Sequence, residues 1–200
     1  MSAQRIVLFD LGNVLVRINI RNFWKTLGLE QPDGALVHRD EIIPFTRNFE
    51  SGNRTKEDFL RELQLLFRER FSDHELEEAF NSILLHTIRG MDDLVRRVSS
   101  VCLTGLVSNT NALHYDSTVA RWNIVQLLPR HYLSFKLHAM KPDEAYYHAV
   151  LQDLQCDPEQ IVFIDDLEKN VKGAMRAGMQ GVQFKSVRGL EQKLKALQIL

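Results

Sequence analysis

The 200 residues predict an α/β domain built on a parallel sheet, with a helical segment inserted after the first strand. Three observations carry that class. Short apolar runs at Ile6–Phe9, Val101–Val107 and Ile161–Ile164 each give way to small polar or acidic residues. That is the pattern of strands buried on both faces that deliver polar groups to one sheet edge. From Met91 onward, helical and strand-like stretches alternate, as parallel strands joined by crossover helices require. Between Ile18 and about Gly90, by contrast, no strand pattern is visible, so that span reads as a helical insertion.

Bulk composition narrows the partners. With 25 basic and 26 acidic residues the chain has no net field to draw it to nucleic acid or an anionic membrane. An apolar fraction of 44% suits one sizeable core, or one core with a smaller insertion. No apolar run reaches the ~18 residues of a membrane span, and no secretory signal pattern opens the chain. Cys102 and Cys156 lie far apart and fit no metal spacing, so buried reduced thiols and a cytoplasmic location are expected.

Taken in order, Ile6 to Phe9 forms the first strand, and Asp10 stands at its end before the turn at Gly12. Strand character ends at Arg17. Phe23, Trp24 and Leu27 then share one helical face, and Val37, Ile42, Ile43 and Phe45 suggest a second piece broken at Pro44. Thr55 and Ser72 are followed three residues later by Asp58 and Glu75, the spacing of a capping box. They predict helices over Lys56 to Arg70 and Asp73 to Ile88. Each carries one apolar stripe, through Phe59, Leu60, Leu63, Leu66 and Phe67, and through Leu76, Ala79, Phe80, Ile83 and Leu84. A small helical bundle would bury both, giving a cap over residues 17–90 and a core of residues 1–16 and 91–200.

A helix follows from Met91 to Ser100, then the strand Val101 to Val107, closed by Ser108-Asn109-Thr110-Asn111. Ala112 to Trp122 reads as helix, His131 to Phe135 as a third strand and Lys136 to Met140 as loop. Lys141-Pro142-Asp143 opens a helix to about Leu154, since proline suits a first turn and an acid complements the helix dipole. Ile161 to Ile164 is the fourth strand, ending in Asp165-Asp166. A helix from Leu167 to Ala177 stops at Gly178, Gly181 to Phe184 is a fifth strand, and Gly189 to Leu197 a last helix.

Four places at the sheet edge thus offer Asp10, Ser108 with Asn109, Lys141, and Asp165 with Asp166. Alone, each is equally a helix cap, a turn residue or a solvated charge. Together they define a crevice. Aspartates that converge need a proton or a cation between them, and an oxygen-only donor set suits Mg²⁺. Ser108, the Asn109 amide and the Lys141 ammonium would face the remaining anionic oxygens, an arrangement for a phosphoryl group.

Phe9-Asp10-Leu11-Gly12-Asn13-Val14-Leu15, Val107-Ser108-Asn109-Thr110-Asn111, Met140-Lys141-Pro142-Asp143 and Phe163-Ile164-Asp165-Asp166 resemble, in order, the four motifs of the haloacid dehalogenase superfamily. The wording is similar to that of a bacterial branch that includes the α-D-glucose-1-phosphate phosphatases. The resemblance spans essentially the whole chain. It implies a Rossmann-like three-layer core with an all-helical cap, and a Mg²⁺-dependent phosphomonoester hydrolase working through an aspartyl phosphate. In that reading Asp10 is the nucleophile. Mg²⁺ is held by Asp10, the carbonyl of Gly12 and Asp166, with Asp165 in support, while Ser108, Asn109 and Lys141 bind the phosphoryl oxygens. The expected partner is a small phosphorylated metabolite such as a sugar 1-phosphate, with the chain a monomer or weak homodimer.

One departure matters: most phosphatases of that superfamily carry a second aspartate two residues after the nucleophile, and here Gly12 stands there. Haloacid dehalogenases, which need no metal, also lack it. A metal-free dehalogenase and a non-catalytic phospho-ligand binder are therefore the competing expectations. In the cap, Arg21, Trp24, His38, Arg39, Arg47, Phe49 and Glu50 are candidates for touching the leaving group, but spacing singles out none of them.

Overall fold

The computed structural model describes residues 5–200. Five parallel strands form the central sheet in the order β5-β4-β1-β6-β7: β1 (Ile6–Asp10), β4 (Leu103–Ser108), β5 (Arg130–Leu133), β6 (Ile161–Asp165) and β7 (Gln180–Gln183). Because successive side chains of a strand point to opposite faces, β1 divides its apolar residues between two cores. Val7 and Phe9 pack with Met91, Leu94, Val95 and Val98 of α5 (Met91–Ser99) and with Leu190 and Leu194 of α10 (Val187–Ala196). Ile6 and Leu8 pack with Tyr146, Tyr147 and Val150 of α8 (Glu144–Leu154) and Ala174 of α9 (Glu168–Arg176). This is the expected Rossmann-like sandwich of helix, sheet and helix. Both cysteines are free and half-buried, so neither is the fully buried thiol expected, and Cys102 precedes β4 instead of lying in it.

Strand order sets which residues meet at the sheet edge. Asp10 pairs with Val107 across β1 and β4, and Phe9 with Ile164 across β1 and β6. The last residues of the three central strands, Ser108, Asp10 and Asp165, therefore stand side by side at one edge. The connections leave β1 toward β4 and β5 on one side and then cross to β6 and β7 on the other, which is where open α/β sheets bind ligands.

Between β1 and α5 the chain forms α1 (Arg21–Thr26), α2 (Arg39–Glu50), α3 (Lys56–Leu66) and α4 (Asp73–Asn81). Their apolar faces meet in a separate cluster that includes Phe23, Trp24, Phe49, Phe59, Leu63, Leu76 and Phe80. Both capping boxes form: Thr55 Oγ1 accepts from the Asp58 amide and Ser72 Oγ from the Glu75 amide, while each acid accepts from its cap's backbone N–H.

Several expectations fail for physical reasons. The segment is not all-helical, because β2 (Val16–Ile18) and β3 (Leu84–Thr87) pair antiparallel. The helix predicted to reach Ile88 ends at Asn81, where the Ser82 hydroxyl turns back on the Ala79 carbonyl at 2.6 Å. Ile83 and Leu84 continue the helical spacing and so hide the change. The preceding helix stops at Leu66, not Arg70: Arg68 and Glu69 take left-handed φ of 53° and 57°, which turns Phe67 and Phe71 inward edge-to-face. Pro44 does not break α2. It lies on the exposed face of the helix, and Ile42 and Phe49 anchor the helix on either side.

Ser134 to Leu137, expected as strand and loop, form one helical turn, α7 (Ser134–Leu137). Lys141 and Pro142 precede α8 instead of opening it, with Asp143 in the N-cap position. Strand and helix ends elsewhere move by one to three residues. The remaining long helix, α6 (Ala112–Arg121), bridges the two halves: Leu113 joins the cluster between α1 and α4, while Tyr115 and Val119 pack on the sheet core.

Candidate functional site

Asp10 ends β1, a strand with every residue buried, and the chain then turns tightly, the amides of Leu15 and Val16 both bonding the Leu11 carbonyl at 2.9 Å. Across that edge Asp165 ends β6 and Asp166 follows it. Carboxylate oxygens of Asp10, Asp165 and Asp166 lie within 4.8 Å of one another. No imidazole or thiol joins this group, so its donor chemistry is that of a hard, oxygen-preferring cation.

Lys141 holds the acids together. Its Nζ donates to Asp10 Oδ1 at 2.6 Å, to Asp165 Oδ2 at 2.7 Å and to the Val107 carbonyl at 3.2 Å. The side chain of Asn109 supports the lysine's own backbone, donating to its carbonyl and accepting from its N–H, both at 2.8 Å. Asn109 therefore uses its side chain on Lys141, and its main-chain amide is what it can offer a ligand. Ser108 is buried at the end of β4, its hydroxyl donating weakly to the Asn109 carbonyl at 3.4 Å. The structure thus brings together all the residues singled out from sequence: Asp10, Gly12, Ser108, Asn109, Lys141, Asp165 and Asp166.

Two asparagines that spacing did not reveal complete the cluster. Asn170, buried in the first turn of α9, donates its Nδ2 hydrogens to both oxygens of Asp165 at 3.0 and 3.1 Å, and the Leu167 amide adds 2.9 Å to Oδ1. Asn13 donates to Asp166 Oδ2 at 3.4 Å from a left-handed turn with φ 55°. Both oxygens of Asp165 are therefore occupied by protein donors. Asp10 Oδ2 has no hydrogen bond among the described residues, and Asp166 has only the long one. Asp10 and Asp166 are thus the acids free to reach a cation directly, and Asp165 is the one placed to act from behind them.

Burial dominates the ionisation of the cluster. It pushes Asp10 up to about 7, against the pull of Lys141 and with the repulsion of Asp165 and Asp166. Asp166 is raised by burial and by Asp165. Burial alone would lower Lys141, yet Asp10 and Asp165 outweigh it, so the ammonium is held above its usual range. Three acids against one cation leave an excess of negative charge that a divalent ion would neutralise, and such an ion would draw both aspartates back down.

Above the cluster opens a cavity of about 410 Å³. Gly12, Ser108, Asn109 and Lys141 line it from the sheet side, and Trp24, Ile42, Arg47 and Glu50 from the helices between β2 and β3. At the seam Phe80 stacks on His114 with ring centres 4.1 Å apart, and burial pushes that imidazole down to about 4, so it is neutral.

A family model described as haloacid dehalogenase-like hydrolase matches residues 39–184. The match begins beyond Asp10 but includes the Ser108, Lys141 and Asp165 segments. A HAD family enzyme from Bacteroides thetaiotaomicron, solved as wild-type protein with magnesium and inorganic phosphate, is 25% identical with a TM-score of 0.80, over 92% of this chain and 96% of that one. A predicted HAD-like family hydrolase from Porphyromonas gingivalis is 21% identical with a TM-score of 0.81, over 96% and 98%. A dehalogenase solved as an intermediate complex is 15% identical with a TM-score of 0.63, over 92% and 86%.

Proposed function

The chain belongs to the haloacid dehalogenase-like hydrolase family, and from that premise we propose that it is a Mg²⁺-dependent phosphomonoester hydrolase acting on a small phosphorylated metabolite. The observation that carries this reading is the three-acid cluster with Lys141 at its centre, facing a cavity closed by the helices of residues 17–90, which we take as the cap. A haloacid substrate brings its own negative charge and would be repelled by two carboxylates beside the nucleophile. A phosphate ester bound with a divalent ion would not. The Bacteroides enzyme, solved with magnesium and phosphate, supports the same assignment.

In this reading Asp10 attacks phosphorus and carries the phosphoryl group as an aspartyl phosphate until water displaces it, which divides one difficult hydrolysis into two displacements. Asp10, the Gly12 carbonyl and Asp166 would hold Mg²⁺, with Asp165 behind them fixed by Asn170 and Leu167. Bound there, the ion would supply charge neutralisation at the transferring phosphoryl group. Ser108, the Asn109 amide and Lys141 would take its oxygens, and Lys141 would ease the approach of a dianion to an anionic nucleophile.

Gly12 places no acid beside the nucleophile, and the loss of a positioned acid typically costs ~10²–10⁴ in rate. With no acid on the nucleophile's own turn, and where no other wall of the cavity supplies the proton, a leaving group that departs easily suits such a site. An anomeric sugar hydroxyl is more acidic than an ordinary alcohol, so glucose 1-phosphate should be hydrolysed faster than glucose 6-phosphate in the presence of Mg²⁺. Phosphate release from the pair measures this directly; a preference for the 6-phosphate contradicts the choice of substrate. A Cβ at Gly12 would meet only Ile18, whose Cδ1 lies nearest at 3.4 Å, so the backbone there accommodates a β-carbon. Gly12→Asp is accordingly expected to raise hydrolysis of alkyl monoesters by about tenfold or more. A folded variant with no gain would remove the leaving-group argument.

A further inference from the structure

We propose that Glu50, the last residue of α2, is the acid that protonates the leaving oxygen, acting from the cap side of the cavity in place of the residue absent at Gly12. This inference rests on the phosphatase reading. Among the residues lining the cavity, Glu50 alone carries a carboxyl group; the acids of the metal cluster lie beneath it. Its carboxylate makes no hydrogen bond or ion pair among the described residues, although burial normally demands one. The side chain is half-buried and lies on the wall of that cavity.

The backbone of Glu50 is docked against the core. Its carbonyl accepts from the Ser134 hydroxyl at 2.6 Å, and that hydroxyl oxygen accepts from the Thr110 amide at 2.9 Å. Ser134 thus ties the end of α2 to the residue following the Ser108-Asn109 phosphate contacts. Two residues on, Gly52 lies at φ 75°, so close to the Phe135 carbonyl that no side chain would fit. These contacts fix the backbone of Glu50 on the cavity wall, beside the segment that carries Ser108 and Asn109.

Ionisation agrees with the assignment. Burial pushes the Glu50 carboxyl up to about 7, with the Arg47 guanidinium pulling the other way, so it can both give and regain a proton near neutrality. Arg39, Arg47, Lys141 and Lys169 are the other charged groups on the cavity wall, and His114 is neutral there. A bound phosphoryl dianion would oppose those cations and keep the proton on Glu50. In the first displacement a carboxylate oxygen of Asp10 bonds to phosphorus, the ester P–O bond breaks, and its electron pair stays on the leaving oxygen, which takes the Glu50 proton. In the second, water bonds to phosphorus, the Asp10 oxygen leaves with the electron pair of its P–O bond, the water's protons depart with the phosphate, and Glu50 regains its proton from solvent.

The test compares p-nitrophenyl phosphate, whose leaving group needs no proton, with an alkyl phosphate, whose leaving group does, in the parent, Glu50→Gln and Glu50→Asp. Glu50→Gln should lose ~10²–10⁴ in kcat on the alkyl ester and less than about threefold on p-nitrophenyl phosphate. Glu50→Asp should retain part of the alkyl activity. The parent's alkyl activity should fall above about pH 7, the limb that its raised carboxyl produces, and this limb should vanish in Glu50→Gln. Equal losses on both esters, or a change confined to KM, would overturn the assignment and make Glu50 a residue that only holds the leaving group. A parent that releases no phosphate from p-nitrophenyl phosphate with Mg²⁺ would instead overturn the phosphatase reading itself, and this inference with it.

Discussion

If Asp10 is the nucleophile proposed above, Asp10→Asn should reduce phosphate release by roughly 10⁴–10⁶-fold while the protein stays folded, the size of loss expected when a catalytic nucleophile is removed. The amide keeps the shape of the side chain and an oxygen that can accept from Lys141 Nζ, but it cannot attack phosphorus. Stability moves in the opposite direction. The folded protein raises the Asp10 carboxyl from 3.8 to about 7, mainly by burial, so it favours the protonated form. The stability this group contributes is therefore fully present below about pH 4 and is lost as the pH rises through 7. Asparagine carries no such dependence. Without metal, the variant should match or exceed the parent at pH 8, with the difference narrowing toward pH 4. Urea unfolding at the two pH values measures this, and turnover is read on the same preparation. Turnover above about one-hundredth of the parent's would mean that another group accepts the phosphoryl.

Much of this site is written locally in the chain. Asp10, Ser108 and Asp165 each close a buried apolar run, and a strand of that kind has one polar end to offer in a parallel sheet. Thr55 and Ser72 announce their helices because a capping box is satisfied within four residues. What spacing misses depends on distant partners. Asn13 is an ordinary turn residue until Asp166 comes within 3.4 Å of it, and Ser134 is an ordinary serine until Glu50 and Thr110 converge on it. β3 escapes notice because Ile83 and Leu84 prolong the apolar spacing of α4, although the β2 pairing that recruits them lies far back in the chain. Glu50 is visible as one of several charged cap residues. Only its place on the cavity wall separates it from Arg21 or His38.

The largest effect on stability belongs to Lys141. Its side chain is 1% exposed and lies between carboxylates at 2.6 and 2.7 Å, with Asp166 completing the acid cluster. Lys141→Met keeps most of the side-chain volume and removes the charge, so Asp10 and Asp165 face one another with no cation between them. Removing one partner of a buried pair costs about 3–5 kcal/mol, since the ion left behind has lost both water and its counter-charge. That cause has two remedies. Protonation is one: Asp10, already raised to about 7 by burial, would hold its proton more tightly still without the ammonium, so the deficit should be greatest near pH 8 and shrink as the pH falls. A divalent ion is the other, and Mg²⁺ should raise the unfolding midpoint of the variant more than that of the parent. Phosphate release should nonetheless stay low at every Mg²⁺ concentration, because a metal bound to the acids cannot also place an ammonium on the phosphoryl oxygens. Urea titrations at pH 8 and 5, each with and without Mg²⁺, separate these effects. Equal midpoints for variant and parent would show that the lysine does not neutralise the cluster. A deficit unchanged by protons and metal alike would place its cause in packing, since the methionine would then have failed to fill the space of the aliphatic stem.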